Sequence, residues 1–124
     1  MTDALLAFLK ARLDDDERVA RACAGDGTWT VEDLEVYAPD LSDDVRTQAA
    51  RHDPARTLRE VEAKRRLLDE HQDVNDGSCG TCVDGKWGYP THGGSSPQSY
   101  PCRTLRLLAL PYSNHHEYEE AWRP

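Results

Sequence analysis

Four positions in this chain have the residue types and spacing to grip one metal ion: His71, Cys79, Cys82 and Cys102. Cysteine sulfur and histidine nitrogen are the preferred ligands of zinc, and two cysteines two residues apart aim both sulfurs at one point. Cys79-Gly80-Thr81-Cys82 is such a pair, and Cys102 with one histidine would complete a tetrahedron. No second CxxC follows, so the motif is partial. Cys102 is expected at a helix N-terminus, where unpaired amides and the dipole favour the thiolate that binds metal. His71 is expected at the end of a long helix. It is preferred as fourth ligand over His92, which lies beside Gly93-Gly94, because a helix preorganises a ligand better than such a loop. Four protein ligands leave no vertex for water, so the zinc would be structural; a catalytic ion needs the histidine out of the shell. Reduced thiols without metal, a redox CxxC and an iron–sulfur cluster are the weaker alternatives. Cys23 reads as a small buried residue.

The elements that must hold these donors are mainly helical. The expectation is four to five short-to-medium α-helices, a small β-hairpin near residues 28–37 and a metal-organised loop at 73–101. In a first helix, Leu5, Leu6, Leu9, Leu13, Ala20 and Cys23 recur at helical spacing, interrupted by Asp16, and Gly25 and Gly27 end it. The run Asp14-Asp15-Asp16-Glu17 points in different directions around a helix and reads as a solvated face. Thr28-Trp29-Thr30-Val31 alternates like a strand, with Glu35-Val36-Tyr37 as partner, although Thr30-Val31-Glu32-Asp33 also resembles a capping box. The hairpin is the preferred reading, with Trp29 packed on the helices. Ser42 caps a further helix in which Val45, Ala49 and His52 share a face. Asp53-Pro54 then opens the longest helix, running to about His71 with Leu58, Val61, Leu67 and Leu68 as its apolar stripe. Glu60–Lys64 and Glu62–Arg66 are spaced to pair along it, at about 0.3 kcal/mol each.

Residues 73–100 are rich in Gly, Ser, Asp and Pro and poor in apolar side chains. A structureless loop of that length is unusual in a compact domain unless something organises it, and a metal does so directly. Trp87, Tyr89 and Tyr100 would cover the ion. A helix from Pro101 through Leu105, Leu108 and Ala109 is interrupted at Pro111, and Asn114 would cap a last short helix that docks Tyr118 and Trp122. The whole of 1–124 reads as one helical domain with a zinc-knuckle-like insert at about 71–102.

With 124 residues, 38% apolar and 31% charged, the apolar supply is thin, which makes a staple useful. No apolar run approaches a membrane span and no secretory signal opens the chain, so a cytoplasmic location is expected, where CxxC thiols stay reduced. The net charge is −8, and residues 1–50 carry 12 acidic against 5 basic side chains. That balance repels phosphate backbones, and binding of nucleic acid is disfavoured. The basic residues Arg56, Arg59, Lys64, Arg65 and Arg66 concentrate on the longest helix and read as a solvated, paired face.

Thr104-Leu105-Arg106-Leu107-Leu108-Ala109-Leu110-Pro111-Tyr112, closed by Tyr118 and Trp122-Arg123-Pro124, resembles the signature of a family of small actinobacterial and actinophage proteins, a domain of unknown function. His52-Asp53-Pro54-Ala55-Arg56 and Glu60-Val61-Glu62-Ala63-Lys64-Arg65-Arg66 carry the resemblance further. It implies a cysteine at the place of Cys102 and a pair at the place of Cys79 and Cys82; it implies no activity. No G-x-S-x-G, phosphate loop or HExxH is present. The expected function is therefore a non-enzymatic interaction or accessory protein with a structural zinc and an unknown protein partner. The alternatives are a redox or zinc-dependent enzyme using Cys79 and Cys82 and, more weakly, a nucleic-acid-binding zinc protein.

Overall fold

The computed structural model describes residues 2–23, 25–74, 78–79, 85–86, 89–90 and 101–124. As expected, the protein is mainly helical. The α-helices are α1 (Thr2–Ala22), α2 (Val31–Tyr37), α3 (Asp43–Arg51), α4 (Pro54–Glu70) and α5 (Arg103–Ala109). Two-residue strands β1 (Asp73–Val74) and β2 (Ser78–Cys79) pair antiparallel, as do β3 (Gly85–Lys86) and β4 (Tyr89–Pro90). Single 3-10 turns span Leu110–Tyr112 and Glu120–Trp122. No helix among the described residues is long and apolar enough to cross a membrane. The chain divides into two compact units, one of residues 1–12 with 64–124 and one of residues 13–63.

In the 13–63 unit, the segment expected as a hairpin is a helix. Thr30 Oγ1 accepts the Asp33 N–H at 3.0 Å, and Asp33 Oδ2 accepts the Thr30 N–H at 3.1 Å, a reciprocal capping box. Capping satisfies two backbone donors that a hairpin would have to pair elsewhere, and it outweighs a four-residue alternation too short to specify a strand. None of the residues of α2 is buried.

Ser42 caps α3 as expected, its Oγ accepting the Val45 N–H at 3.3 Å. On the face shared by Val45, Ala49 and His52, Val45 is 49% exposed, and the buried residue of α3 is Arg46. Its guanidinium donates to the carbonyls of Ala38, Pro39 and Leu41 and pairs with the Asp43 carboxylate. It thereby gathers the carbonyls of the turn from α2 into α3, of which that of Ala38 also accepts the Leu41 N–H at 3.2 Å. Five donors in a planar fork suit Arg to that task.

Asp53 caps α4, accepting the Arg56 N–H at 2.8 Å, and also accepts the Trp29 N–H at 3.1 Å. Beside it Gly27, at φ +82°, accepts the Ala55 N–H at 2.9 Å through its carbonyl. A Cβ on Gly27 would come within 3.2 Å of that nitrogen, so both the positive φ and the close approach call for glycine. Along α4, Glu60 pairs with Arg56 at 2.9 Å. Among the described residues this unit buries Leu13, Ala20, Pro54 and Val61. Cys23 corrects the expectation: it lies just beyond α1, is only partly buried, and donates its thiol to the Val19 carbonyl at 3.5 Å.

The other unit buries Leu5, Phe8, Leu9, Leu68, Leu105, Ala109 and Trp122, together with His71, Cys79 and Cys102. Leu5, Phe8 and Leu9 sit three and four residues apart on α1, one face of a helix. Full burial of such side chains stabilises by about 1.5–3 kcal/mol each.

Candidate metal centre

Three separate elements bring the donors together. His71 follows the last residue of α4 and is tied to it by donating its N–H to the Leu67 carbonyl at 3.0 Å. Two residues on, β1 begins; β2 returns antiparallel and sets Cys79 opposite Asp73, which carries the cysteine back towards His71. Cys102 is the N-cap of α5, and its carbonyl accepts the Arg106 N–H at 3.1 Å. Its side chain does not cap its own helix. Instead Cys102 Sγ lies 3.4 Å from His71 Nδ1, while Cys79 Sγ lies 3.3 Å from the same nitrogen.

The three donor atoms lie within 4.8 Å of one another, and all three residues are buried, His71 at 6% and both cysteines at 0% exposure. With Zn–S near 2.3 Å and Zn–N near 2.0–2.1 Å, a tetrahedral site has N···S edges of about 3.5 Å. The two observed distances fit that edge. The donor set is therefore able to hold a metal ion, and its softness, one imidazole and two sulfurs, matches zinc better than calcium or magnesium.

Of the residues singled out by sequence, His71, Cys79 and Cys102 meet as expected. Cys82, the rival His92, and Trp87 and Tyr100 lie outside the described residues, as does the side chain of Tyr89. Much of the expected metal-organised loop is likewise outside them, with the β1–β2 and β3–β4 ladders the described parts.

A second cluster in the same unit escaped the sequence reading. Phe8 is ringed by Trp122, His115, Tyr118 and Tyr112, with ring centroids at 5.1, 5.5, 6.0 and 6.4 Å. Arg12 stands over the Phe8 ring and hydrogen-bonds His115 Nε2; Lys64 stands 5.6 Å over Tyr112. The helix expected after Asn114 is instead a chain of turns ending in the 3-10 turn Glu120–Trp122, which still places Tyr118 edge-on to Trp122 at 5.6 Å. Arg123 pairs with Glu120 at 2.9 Å, and that hydrogen bond and charge lower the Glu120 carboxyl below its ordinary pKa. The chain's one phenylalanine on a leucine stripe was the signal available, and nothing local in sequence names its distant partners.

A family model matches residues 2–124. The chain belongs to a family of unknown function, DUF6221. No curated protein and no solved structure matches it. Membership in DUF6221 brings no activity with it, so the chemistry of this member rests on the donor set just described.

Proposed function

We propose that this DUF6221 protein is a non-enzymatic interaction protein whose 1–12 and 64–124 unit is held together by a structural zinc ion. His71, Cys79 and Cys102 are three of its ligands, and Cys82 is the fourth. The observation that carries the reading is the approach of His71 Nδ1 to 3.3 and 3.4 Å from two buried sulfurs supplied by other elements. Three donors of the kinds zinc prefers, brought from separate elements to tetrahedral-edge distances, form a set that a metal ion would organise. Four protein ligands close the shell, so the ion stabilises rather than catalyses. The thiols imply a reducing, cytoplasmic setting. The resemblance of the closing signature to actinobacterial and actinophage proteins supports an accessory role exerted on a host protein.

Elemental analysis of the purified chain tests the ion, and the expected result is one zinc per chain. Cys102→Ser should lose the metal and several kcal/mol of stability, a substantial part of the ~10 kcal/mol apparent binding energy of structural zinc sites. A metal-free wild type whose melting temperature Cys102→Ser leaves unchanged would overturn the site. Rapid reaction of Cys79 and Cys82 with a disulfide reagent in the zinc-loaded protein would instead favour redox chemistry.

A further inference from the structure

The 13–63 unit exposes apolar side chains on a scaffold held in place by polar groups. Helix α2 is seven residues long and buries none of them, with Val36 and Tyr37 at 78% and 85% exposure. So short a helix is not stable by propensity alone, and only Val31 and Leu34 of its residues are half-buried. What holds it is the Thr30–Asp33 capping box at one end and, at the other, the buried Arg46 guanidinium on the Ala38, Pro39 and Leu41 carbonyls. Leu41, in the turn between α2 and α3, and Val45, on α3, are also exposed. Beside Tyr37 opens a cavity of about 550 Å³ lined by Cys23, Trp29 and Leu34, with Asp26 and Asp33 at its edge. That volume lies within the ordinary range of ligand pockets.

The neighbouring Arg46 is buried and paired with Asp43, and the other charged side chains along this stretch are acidic. From Ala22 to Val45 the chain contains seven acidic side chains, Asp26, Glu32, Asp33, Glu35, Asp40, Asp43 and Asp44, and no Lys, Arg or His. Phosphate backbones and anionic lipid surfaces are repelled by it. We propose that α2, with the cavity between Trp29 and Tyr37, docks a basic amphipathic helix of a partner protein, whose apolar side chains enter the cavity while its Lys and Arg meet the acidic rim. Helix-in-groove recognition works in this way, apolar anchors supplying affinity and complementary charge supplying rate and orientation. The proposal rests on the interaction-protein reading above and gives that partner its chemistry.

The test uses the full chain as purified and a fluorescein-labelled peptide of about eighteen residues, with Leu at i, i+3, i+4 and i+7 and Lys elsewhere. One control scrambles the order to destroy the apolar face, and a second replaces every Lys by Glu. Fluorescence anisotropy should show the amphipathic peptide binding at least about tenfold tighter than either control, and weakening severalfold from about 50 to 300 mM salt. Val36→Ser with Tyr37→Ser, both exposed and so without effect on melting, should weaken binding about tenfold, as should Glu32→Lys with Glu35→Lys. Equal binding of the scrambled peptide, or unchanged affinity in the Val36/Tyr37 variant, would overturn the proposal. So would a wild-type dimer in sedimentation that the same variant dissociates, since the occupant would then be a second copy. A photo-crosslinker at position 37 or, in the other unit, at exposed Leu107 separates the two readings. A native partner captured from position 107 alone sinks this surface and leaves the interaction protein standing; capture from neither, with no peptide binding, sinks both.

Discussion

The carboxylate of Asp53 accepts two backbone N–H groups, that of Arg56 in its own helix and that of Trp29, twenty-four residues earlier. The Arg56 N–H, then the Trp29 N–H, hold its pKa below the ordinary carboxylate value, aided by the charges of Arg59 and Arg56 and opposed by burial. A carboxyl with a depressed folded pKa contributes stability that is complete above its unfolded value near ~3.9 and is lost as pH falls through the folded value. Asp53→Ala should cost about 2 kcal/mol at neutral pH, the upper end for a lost N-cap, because both N–H groups lose their acceptor. Asp53→Asn keeps an acceptor for Arg56 but turns an amide N–H₂ on Trp29, and should fall between. Chemical denaturation as a function of pH checks this: the gap between wild type and Asp53→Asn should narrow as pH drops below ~3.9. The Asp53-Pro54 pair announces the cap in sequence, since capping is local. The bond to Trp29 does not show there, because nothing within a few residues of either partner specifies it.

At the scale of elements, the segment from Thr28 to Arg46 shows where local pattern misleads. Both a two-residue and a helical period fit so short a stretch, and side chains left unburied cannot decide between them. Capping decides, and the Thr30/Asp33 spacing carried that information in a form outweighed by the apparent alternation. Arg46 was invisible for a related reason: a lone Arg on an acidic segment reads as solvent-facing, whereas its burial depends on carbonyls presented by the turn before it. Arg46→Ala should destabilise the 13–63 unit by about 2 kcal/mol, since the turn carbonyls and the Asp43 carboxylate lose a charged donor at once. Arg46→Lys should recover only part of that, because one ammonium cannot reproduce the fork that reaches three carbonyls and a carboxylate. Thermal melts followed by Trp29 fluorescence in a Trp87→Phe, Trp122→Phe background measure both.

Across the whole molecule, the meeting of His71, Cys79 and Cys102 was legible because rare residues at the ends of otherwise ordinary elements leave a compositional trace. The mainly helical class was legible through apolar spacing in α1 and α4. The Phe8 cluster was not, because its members lie at opposite ends of the sequence and each, taken alone, is an ordinary aromatic residue. That arrangement bears on the order in which the protein is made. Residues 13–63 form their unit as one unbroken stretch, whereas the other unit joins residues 1–12 to 64–124. A ribosome will have released every residue of the first while Phe8 still awaits Trp122, almost a full chain length later. Contacts of long sequence separation form slowly, and synthesis proceeds at about 5–20 residues per second. For those seconds Leu5, Phe8 and Leu9 lack their late-arriving neighbours, and the segment around Phe8 is the stretch for which a chaperone would compete. Chains stalled near residue 100 should accordingly show a protease-resistant 13–63 fragment and a sensitive segment around Phe8, with protection at Phe8 arriving only once Trp122 has emerged.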